Sequence, residues 1–316
     1  MKCIRSHSHD PYFNLAAEEF LLKNFDTDFY FQYINDASVI VGKHQNALAE
    51  IDLEYLEKNN IILARRISGG GAVFHDSGNL NYSFITNESE GNYIRFKKYT
   101  APLIAALKEI GIEACLGKRN EILAGDFKIS GTASHVFKSR ALHHGTLLFN
   151  ADLDRLAKCL YVNRDRYSDR AVRSVRSIVV NIQDLLDREI SMKEFTDFIY
   201  SFLLSSISGN SVYNFSEIEI LKIEELRDKK FRTWEWNLAY SPKYIVERAE
   251  DGLRFRISVN KGKIEDLTIS GPADVKTKHL EELLKGVAHD KLSVRRALSE
   301  SDYTSSFIEG KLKNLF

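Results

Sequence analysis

Two short stretches concentrate the residue types that bind anions. The first, Arg65-Arg66-Ile67-Ser68-Gly69-Gly70-Gly71-Ala72-Val73-Phe74-His75, sets three consecutive glycines between fixed cations and an apolar run. Glycines contribute no packing, so a chain keeps them where the backbone takes unusual angles or a ligand comes close. Their free N–H groups, flanked by arginines, suit a phosphate or a carboxylate. A plain turn between strands is the competing reading. The second stretch, Gly125-Asp126-Phe127-Lys128-Ile129-Ser130-Gly131-Thr132-Ala133, places Lys128 inside an alternating strand, where it faces either solvent or a pocket. Opposite it in the expected hairpin lies His143-His144-Gly145-Thr146-Leu147-Leu148-Phe149, whose small and polar residues interrupt a core-like strand. A glycine at such a place marks close approach of a ligand or another backbone.

Standard phosphate and nucleophile motifs do not account for these stretches. Gly69-Gly70-Gly71-Ala72-Val73-Phe74 lacks the third glycine of the dinucleotide fingerprint. Neither Gly42-Lys43-His44 nor Gly117-Lys118-Arg119 has the upstream glycine or the following hydroxyl of a P-loop, and no Gly-x-Ser-x-Gly elbow occurs. No metal-ligand set is evident; His7 and His9 read as surface residues. Backbone donors, permanent cations and small residues without a nucleophile–base pair point to electrostatic rather than covalent catalysis. Nucleotidyl or acyl transfer fits, because charge developing on phosphorus-bound oxygens needs fixed donors.

The elements around these stretches follow from capping and periodicity. Asp10-Pro11 opens a buried helix carrying Phe13, Leu15, Ala16, Phe20 and Leu21. Phe29–Ile34 and Ser38–Val41 read as paired strands, Leu53–Lys58 as a short helix, and residues 61–64 as a strand entering the glycine loop. After the turn Asp76-Ser77-Gly78-Asn79, the alternation of Leu80, Tyr82 and Phe84 predicts a strand. Phe96, Tyr99, Leu103, Leu107 and Ile110 form a helical stripe that Gly111 ends. Strands follow at 121–123, 128–130 and 142–149, then a helix capped by Asp152. Five arginines occupy residues 164–176 with almost no apolar periodicity, which predicts a solvated loop or one ordered by ligand over the site. Ser191-Met192-Lys193-Glu194 is a capping box before another helix. From Ser241-Pro242 onward the pattern changes to strands at 244–248, 253–259 and 264–269 and then two helices, so a domain boundary is expected near Tyr240. Hairpins mixed with helices make the arrangement α+β rather than doubly wound.

The chain has 316 residues, 44% of them apolar, with only 4 prolines, which is the composition of a globular protein throughout. Its 44 basic and 44 acidic residues cancel, so no global field gathers nucleic acid or membrane surface, and anion recognition must be local. An RNA-binding module is further disfavoured by the lack of an RNP or helix-turn-helix pattern. Met1-Lys2-Cys3-Ile4-Arg5-Ser6-His7 holds no signal-peptide core and no segment approaches a membrane span, so a cytoplasmic location is expected. Cys3, Cys115 and Cys159 are far apart and without metal spacing, as reduced thiols would be.

Taken together, Arg66-Ile67-Ser68-Gly69-Gly70-Gly71-Ala72-Val73-Phe74-His75-Asp76, Asp126-Phe127-Lys128-Ile129-Ser130-Gly131 and His143-His144-Gly145-Thr146-Leu147-Leu148 closely resemble lipoate–protein ligase. The resemblance extends through Asp10-Pro11-Tyr12-Phe13-Asn14-Leu15-Ala16-Ala17-Glu18-Glu19 and Ser174-Val175-Arg176-Ser177, and so spans most of the first 240 residues. It implies an α+β catalytic domain of the biotin/lipoate-ligase type, built around a mixed sheet, over residues 1–240. Residues 241–316 have the size of that family's small α+β accessory domain, with weak motifs.

The resemblance also implies two half-reactions: ATP, accompanied by Mg²⁺, activates lipoate to lipoyl-AMP, and a lysine of a lipoyl domain then takes the acyl group. Implied acceptors are acyltransferase subunits of 2-oxoacid dehydrogenases and the glycine-cleavage H protein. By the same resemblance Arg66, Gly70, Gly71, Ala72, Val73 and Phe74 hold the nucleotide phosphate and its surroundings; the apolar side chains of Val73 and Phe74 either line a lipoyl tunnel or serve ordinary core packing. Lys128 contacts both the lipoate carboxyl oxygen and the α-phosphate. Ser68, His75, Asn79 and His144 match the motif around the same pocket, and Asn120 matches an Arg-Asn-Asp element whose acid is here Glu121. The same fold also serves octanoyl transfer between carrier proteins through a cysteine thioester. None of the three cysteines falls in the motifs above. Biotin ligation lacks its basic glycine-arginine loop here.

Overall fold

The computed structural model describes residues 1–299 except 89, 90, 92, 163, 176, 207, 208, 251 and 272–277. Arg176 of the arginine-rich segment therefore lies outside the described residues, as do residues 300–316.

A mixed six-stranded sheet forms the centre, in the order Thr132–Phe137, Arg140–Leu148, Asn79–Asn87, Phe29–Ile34, Lys2–Arg5 and Ser211–Val212. Alternation along Phe29–Ile34 and Asn79–Asn87 sends Tyr30, Tyr82 and Phe84 to one face, where Tyr99, Leu103 and Leu107 of the helix Phe96–Glu109 and Phe195 and Ile199 of the helix Met192–Ser206 cover them. The other face carries Phe29, Phe31 and Tyr33 against the helix Pro11–Asn24. Asp10 caps this helix by accepting the Tyr12 N–H. Its apolar residues surround it on every side because a second helix, Glu217–Leu226, packs on its back with Ile223. No helix of the described residues is long and apolar enough to cross a membrane.

A three-stranded sheet places Ser38–Val41 between Ile62–Arg65, parallel, and Val73–His75, antiparallel. This corrects the expected pairing of Phe29–Ile34 with Ser38–Val41. Phe29–Ile34 already has Lys2–Arg5 on one edge and Asn79–Asn87 on the other, so no edge is left for Ser38–Val41. A second correction concerns Lys128. Its strand, Phe127–Ser130, pairs with Ile122–Ala124, whereas the hairpin partner of Arg140–Leu148 is Thr132–Phe137. Gly131 bridges the two arrangements, its carbonyl accepting the Thr146 N–H at 3.0 Å.

The fourth sheet runs Tyr167–Asp169, Tyr244–Glu250, Leu253–Asn260 and Lys263–Ser270, backed by the helices Lys278–Leu284 and Lys291–Ser299. Val246, Phe255, Ile257 and Leu267 meet Leu280, Leu284, Val294 and Leu298 in its core. Its first strand comes from the arginine-rich segment. The first half of that segment is therefore no free solvated loop: a helical turn at Arg164–Arg166 leads into Tyr167–Asp169, an edge strand of the C-terminal sheet, and residues 170–175 continue without regular structure.

Candidate active site

The two arginines before the glycines act first on the backbone. Arg65 is fully buried, and its guanidinium donates to the carbonyls of Gly42, Lys43, Gln45, Trp236 and Asn237 and to Ser241 Oγ. It ties the loop after Ser38–Val41 to the segment leading into the C-terminal sheet. Arg66 donates from Nη1 to the Ile40 carbonyl at 3.0 Å and from Nη2 to the Gly69 and Gly71 carbonyls at 2.6 and 2.8 Å. In a trans peptide the N–H points opposite to the C=O. Drawing these carbonyls inward therefore turns the N–H groups of Gly70 and Ala72 outward. Gly70 takes φ +88°, which a side chain would strain, and a Cβ on Gly71 would stand 2.9 Å from Ser174 Oγ. Burial lowers the pKa of Arg65 and of Arg66 to about 10, so both remain cations at neutral pH.

The loop forms one wall of a cavity of about 290 Å³. The opposite wall is the sheet face bearing Tyr33, Asn81 and Thr146, which sit side by side across three neighbouring strands. Lys128 enters from the small sheet in which Phe127–Ser130 pairs with Ile122–Ala124, and Val172 and Ser174 cover the cavity from the arginine-rich segment. Burial lowers the Lys128 pKa; Arg119 and Arg66 add to this and Glu121 opposes it. Among the described residues Lys128 has no ion-pair partner within 4.0 Å. Among the described residues four cations, Arg66, Arg119, Lys128 and Arg173, line the cavity against the one carboxylate of Glu121. Such a space attracts anions.

Of the residues singled out in the sequence, Arg66, Gly70, Gly71, Ala72, Val73, His75, Lys128 and His144 lie on the cavity wall. Ser68 stands one layer behind, bonded to Arg66 and His144. Phe74 points the other way, into a core of Val39, Val41, Leu56 and Cys159, so it is not placed to line a lipoyl tunnel. Asn79 also lies off the wall and donates to Asn81 Oδ1 at 3.0 Å, and Asn81 is the residue that reaches the cavity. Asn120 adopts φ +65° and uses its carbonyl to accept from Thr132 Oγ1 at 2.5 Å, which leaves its neighbours Arg119 and Glu121 facing inward. Glu121 accepts the Arg119 N–H at 2.8 Å and fills the space a Cβ on Gly117 would need, bracing that turn.

The three histidines of this region have separate roles. His143 lies on the far face, accepting the Arg95 N–H at 2.9 Å and packing on Tyr99; burial lowers its pKa to about 4. His75 accepts at Nδ1 from Asn35 at 3.0 Å, and Asn35 is oriented by accepting from Asn14 at 2.8 Å. The ring is neutral, since burial, then Arg66 and His144, lower its pKa to about 3. Its proton therefore sits on Nε2, a buried donor on the cavity wall without a partner among the described residues. His144 shares the cavity face and contacts Glu18.

Sequence reasoning missed Glu18, Asn81 and Ser174 as site residues. For Glu18 the signal is an acid flanked by the apolar runs Leu15–Ala17 and Phe20–Leu22 of a buried helix. For Asn81 the signal is a polar residue between Leu80 and Tyr82, on the strand face that turns toward the cavity. Ser174 Oγ accepts from the Ala72 N–H at 2.9 Å and from Gln45 Nε2 at 3.0 Å, and donates to Glu50.

Comparison with known proteins gives this geometry a family. The profile described as lipoyl protein ligase A/B catalytic domain matches residues 10–203, and that described as bacterial lipoate protein ligase C-terminus matches residues 247–316. Lipoate–protein ligase 1 of Staphylococcus aureus (strain Mu50 / ATCC 700699) is 40% identical over 306 residues, covering 93% of this chain and 92% of that one. Among solved structures, a lipoate-protein ligase A bound with ATP superposes with a TM-score of 0.63 at 30% identity, covering 75% of this chain and 98% of that chain. A bi-partite lipoate protein ligase from Thermoplasma acidophilum, described with its E2 lipoyl domain, gives 0.64 at 28% identity, covering 79% of this chain and 98% of that chain. With both profiles matched in order and the glycine loop, Lys128 and His144 gathered on one cavity, the chain belongs to the lipoyl protein ligase A/B family.

Proposed function

We propose that this chain is an ATP-dependent lipoate–protein ligase whose adenylation chemistry takes place in the cavity between the glycine loop and Lys128. The lipoate carboxylate attacks the α-phosphorus of ATP, forming the mixed anhydride lipoyl-AMP and expelling pyrophosphate. An acceptor lysine amine then attacks the acyl carbon, forms the amide and releases AMP.

The observation that carries this reading is the position of Lys128, a partly desolvated cation facing a loop whose Gly70 N–H is turned outward and whose Ala72 N–H is held by Ser174 Oγ of the covering segment. Two anions must meet for the first step, and a lysine point charge between them reduces their repulsion and stabilises the crowded phosphorus centre. Gly70, Gly71, Ala72 and Val73 supply backbone surface for the phosphate, Arg66 shapes that surface, and His75 offers a neutral N–H. Mg²⁺ enters with the phosphates: among the described residues no three His, Cys, Asp or Glu side chains converge, and Glu121 is occupied in bracing its turn. Val172 and Ser174 keep water from the anhydride. The catalytic and accessory units divide near Tyr240. The acceptors are lipoyl domains, those of 2-oxoacid dehydrogenase acyltransferase subunits and the glycine-cleavage H protein being the proposed ones.

Transfer through a cysteine thioester finds no support in the site. Cys3 and Cys159 are buried, burial raises the Cys159 pKa to about 11, and none of the three cysteines lines the cavity. Incubation with ATP, lipoate and an apo lipoyl domain is expected to yield AMP and a modified acceptor by mass spectrometry. An unmodified acceptor there, together with acyl transfer from octanoyl carrier protein, would overturn the ligase reading.

A further inference from the structure

Behind the cavity wall a line of hydrogen bonds runs from the cation that shapes the glycine loop to a carboxylate on the first helix. Arg66 Nε–H donates to Ser68 Oγ at 3.0 Å, Ser68 Oγ lies 2.6 Å from His144 Nε2, and His144 Nδ1 lies 2.9 and 3.0 Å from the two oxygens of Glu18. Glu18 and Ser68 have no exposed surface, and Arg66 and His144 have 6% each. The direction of donation follows from the inventory of protons. Ser68 Oγ already accepts from Arg66, and its one proton has a single acceptor within reach among the described residues, His144 Nε2. The imidazole therefore carries its own proton on Nδ1 and donates it to Glu18, which also accepts from Tyr33 and Ser83 hydroxyls. Each member is polarised in the same sense, from a permanent cation to an anion.

The order serine, histidine, carboxylate has the form of a nucleophilic triad, but Ser68 is sealed from the cavity and bonded to a guanidinium. It cannot attack a substrate. What the line does is fix the rotation of Arg66, whose Nη2 holds the Gly69 and Gly71 carbonyls inward. We propose that Glu18 is a positioning residue for adenylation, holding Arg66, and through it the outward-facing N–H groups of the glycine loop, by way of His144 and Ser68. This rests on the ligase reading above. Without the carboxylate, Nδ1–H loses its acceptor, the ring is free to turn, and Ser68 no longer has a fixed acceptor for its proton. Arg66 is then oriented by backbone carbonyls alone.

Residues coupled in series lose the same function once. Lipoate-dependent ATP–pyrophosphate exchange is measured for the full chain, Glu18→Gln, Ser68→Ala and the double variant, with melting temperatures alongside. Each single variant is expected to raise the ATP KM about tenfold, the double variant no further than the worse single one, and Glu18→Asp to recover part of the loss. Ser83→Ala removes a different hydrogen bond from the same carboxylate and is expected to stay within about twofold. Additive losses in the double variant, or a Glu18→Gln protein with unchanged ATP KM, would overturn the proposal. If Glu18→Gln does not fold, the same cycle with His144→Gln in its place decides between these outcomes. Absence of exchange in the unaltered chain would instead refute the ligase reading.

Discussion

Lys128 shows how a single side chain can be chosen from sequence by type and still need the fold to give it a place. A lysine in an alternating strand is ambiguous; here its strand turns it into a cavity where burial lowers its pKa, with Arg119 and Arg66 adding and Glu121 opposing. Lys128→Ala should slow pyrophosphate exchange about a hundredfold, equivalent to about 3 kcal/mol of lost transition-state stabilisation, with the melting temperature preserved. Near-normal exchange would remove Lys128 from its role. The sign of the pH effect follows from the same shift. A cation with lowered pKa is lost as pH rises, so kcat/KM should fall on the alkaline side below the ordinary lysine value of 10.5, and Lys128→Arg should displace that limb upward even if its maximum rate is lower. The arginine pair shows the opposite case. Arg65 and Arg66 read alike as cations flanking an anion-binding loop, yet Arg65 is wholly engaged with backbone carbonyls and Ser241. Those acceptors are distant in sequence, so nothing local could reveal them. His75 adds an acid-side prediction. Its pKa is about 3 in the fold, so between 6.5 and about 3 the unfolded chain binds a proton that the native chain does not. The stability tied to His75 is complete above 6.5 and declines as pH falls through that window. Denaturant midpoints taken at about pH 7 and about pH 4.5 should differ less in His75→Gln than in the unaltered chain.

At the scale of elements, local signals carried most of the fold. Asp10, Asp52, Asp152 and Ser191 each stand where a helix begins, and all four accept an N–H of the opening turn. Alternation located Asn79–Asn87 and the strands of the C-terminal sheet. The strand Thr132–Phe137 escaped because every residue in it is half-buried at a sheet edge, which leaves no alternation to read. Glu217–Leu226 escaped despite its capping box because only Ile223 of its residues is fully buried while Ile218 and Leu221 are exposed, so its apolar residues trace no clean buried stripe. The segment covering the cavity was legible as polar and arginine-rich, but not as anchored. Its anchor is Glu50, which accepts from Arg164 and from the hydroxyl and N–H of Ser174. Glu50→Ala removes this clasp without replacing any residue that lines the cavity. The segment should then open more often, and AMP release from ATP and lipoate in the absence of acceptor should rise several-fold, as escaping anhydride meets water. An unchanged rate of acceptor-free AMP release would mean that the clasp does not govern water access.

For the molecule as a whole, the two halves are less separable than the change of pattern near Tyr240 suggests. Tyr167–Asp169 pairs with Tyr244–Val246, so the C-terminal sheet takes its edge strand from the segment that covers the cavity. Leu48 packs against the same C-terminal core, and Ser241 receives bonds from the Arg65 guanidinium and the Ala47 N–H. A sequence pattern reports where hydrophobic periodicity changes, and it cannot report a strand contributed across 70 or more residues of intervening chain, as this pairing is. Removing residues 243–316 here leaves Tyr167–Asp169 without its partner strand and Leu48 without its packing, while the six-stranded sheet and the cavity walls stay intact. The shortened chain should therefore remain folded by circular dichroism but lose at least tenfold in lipoate-dependent pyrophosphate exchange. Residues 241–316 added as a separate polypeptide should restore part of that activity by re-pairing with Tyr167–Asp169. Full exchange by the shortened chain alone would show that the covering segment closes the cavity without its sheet.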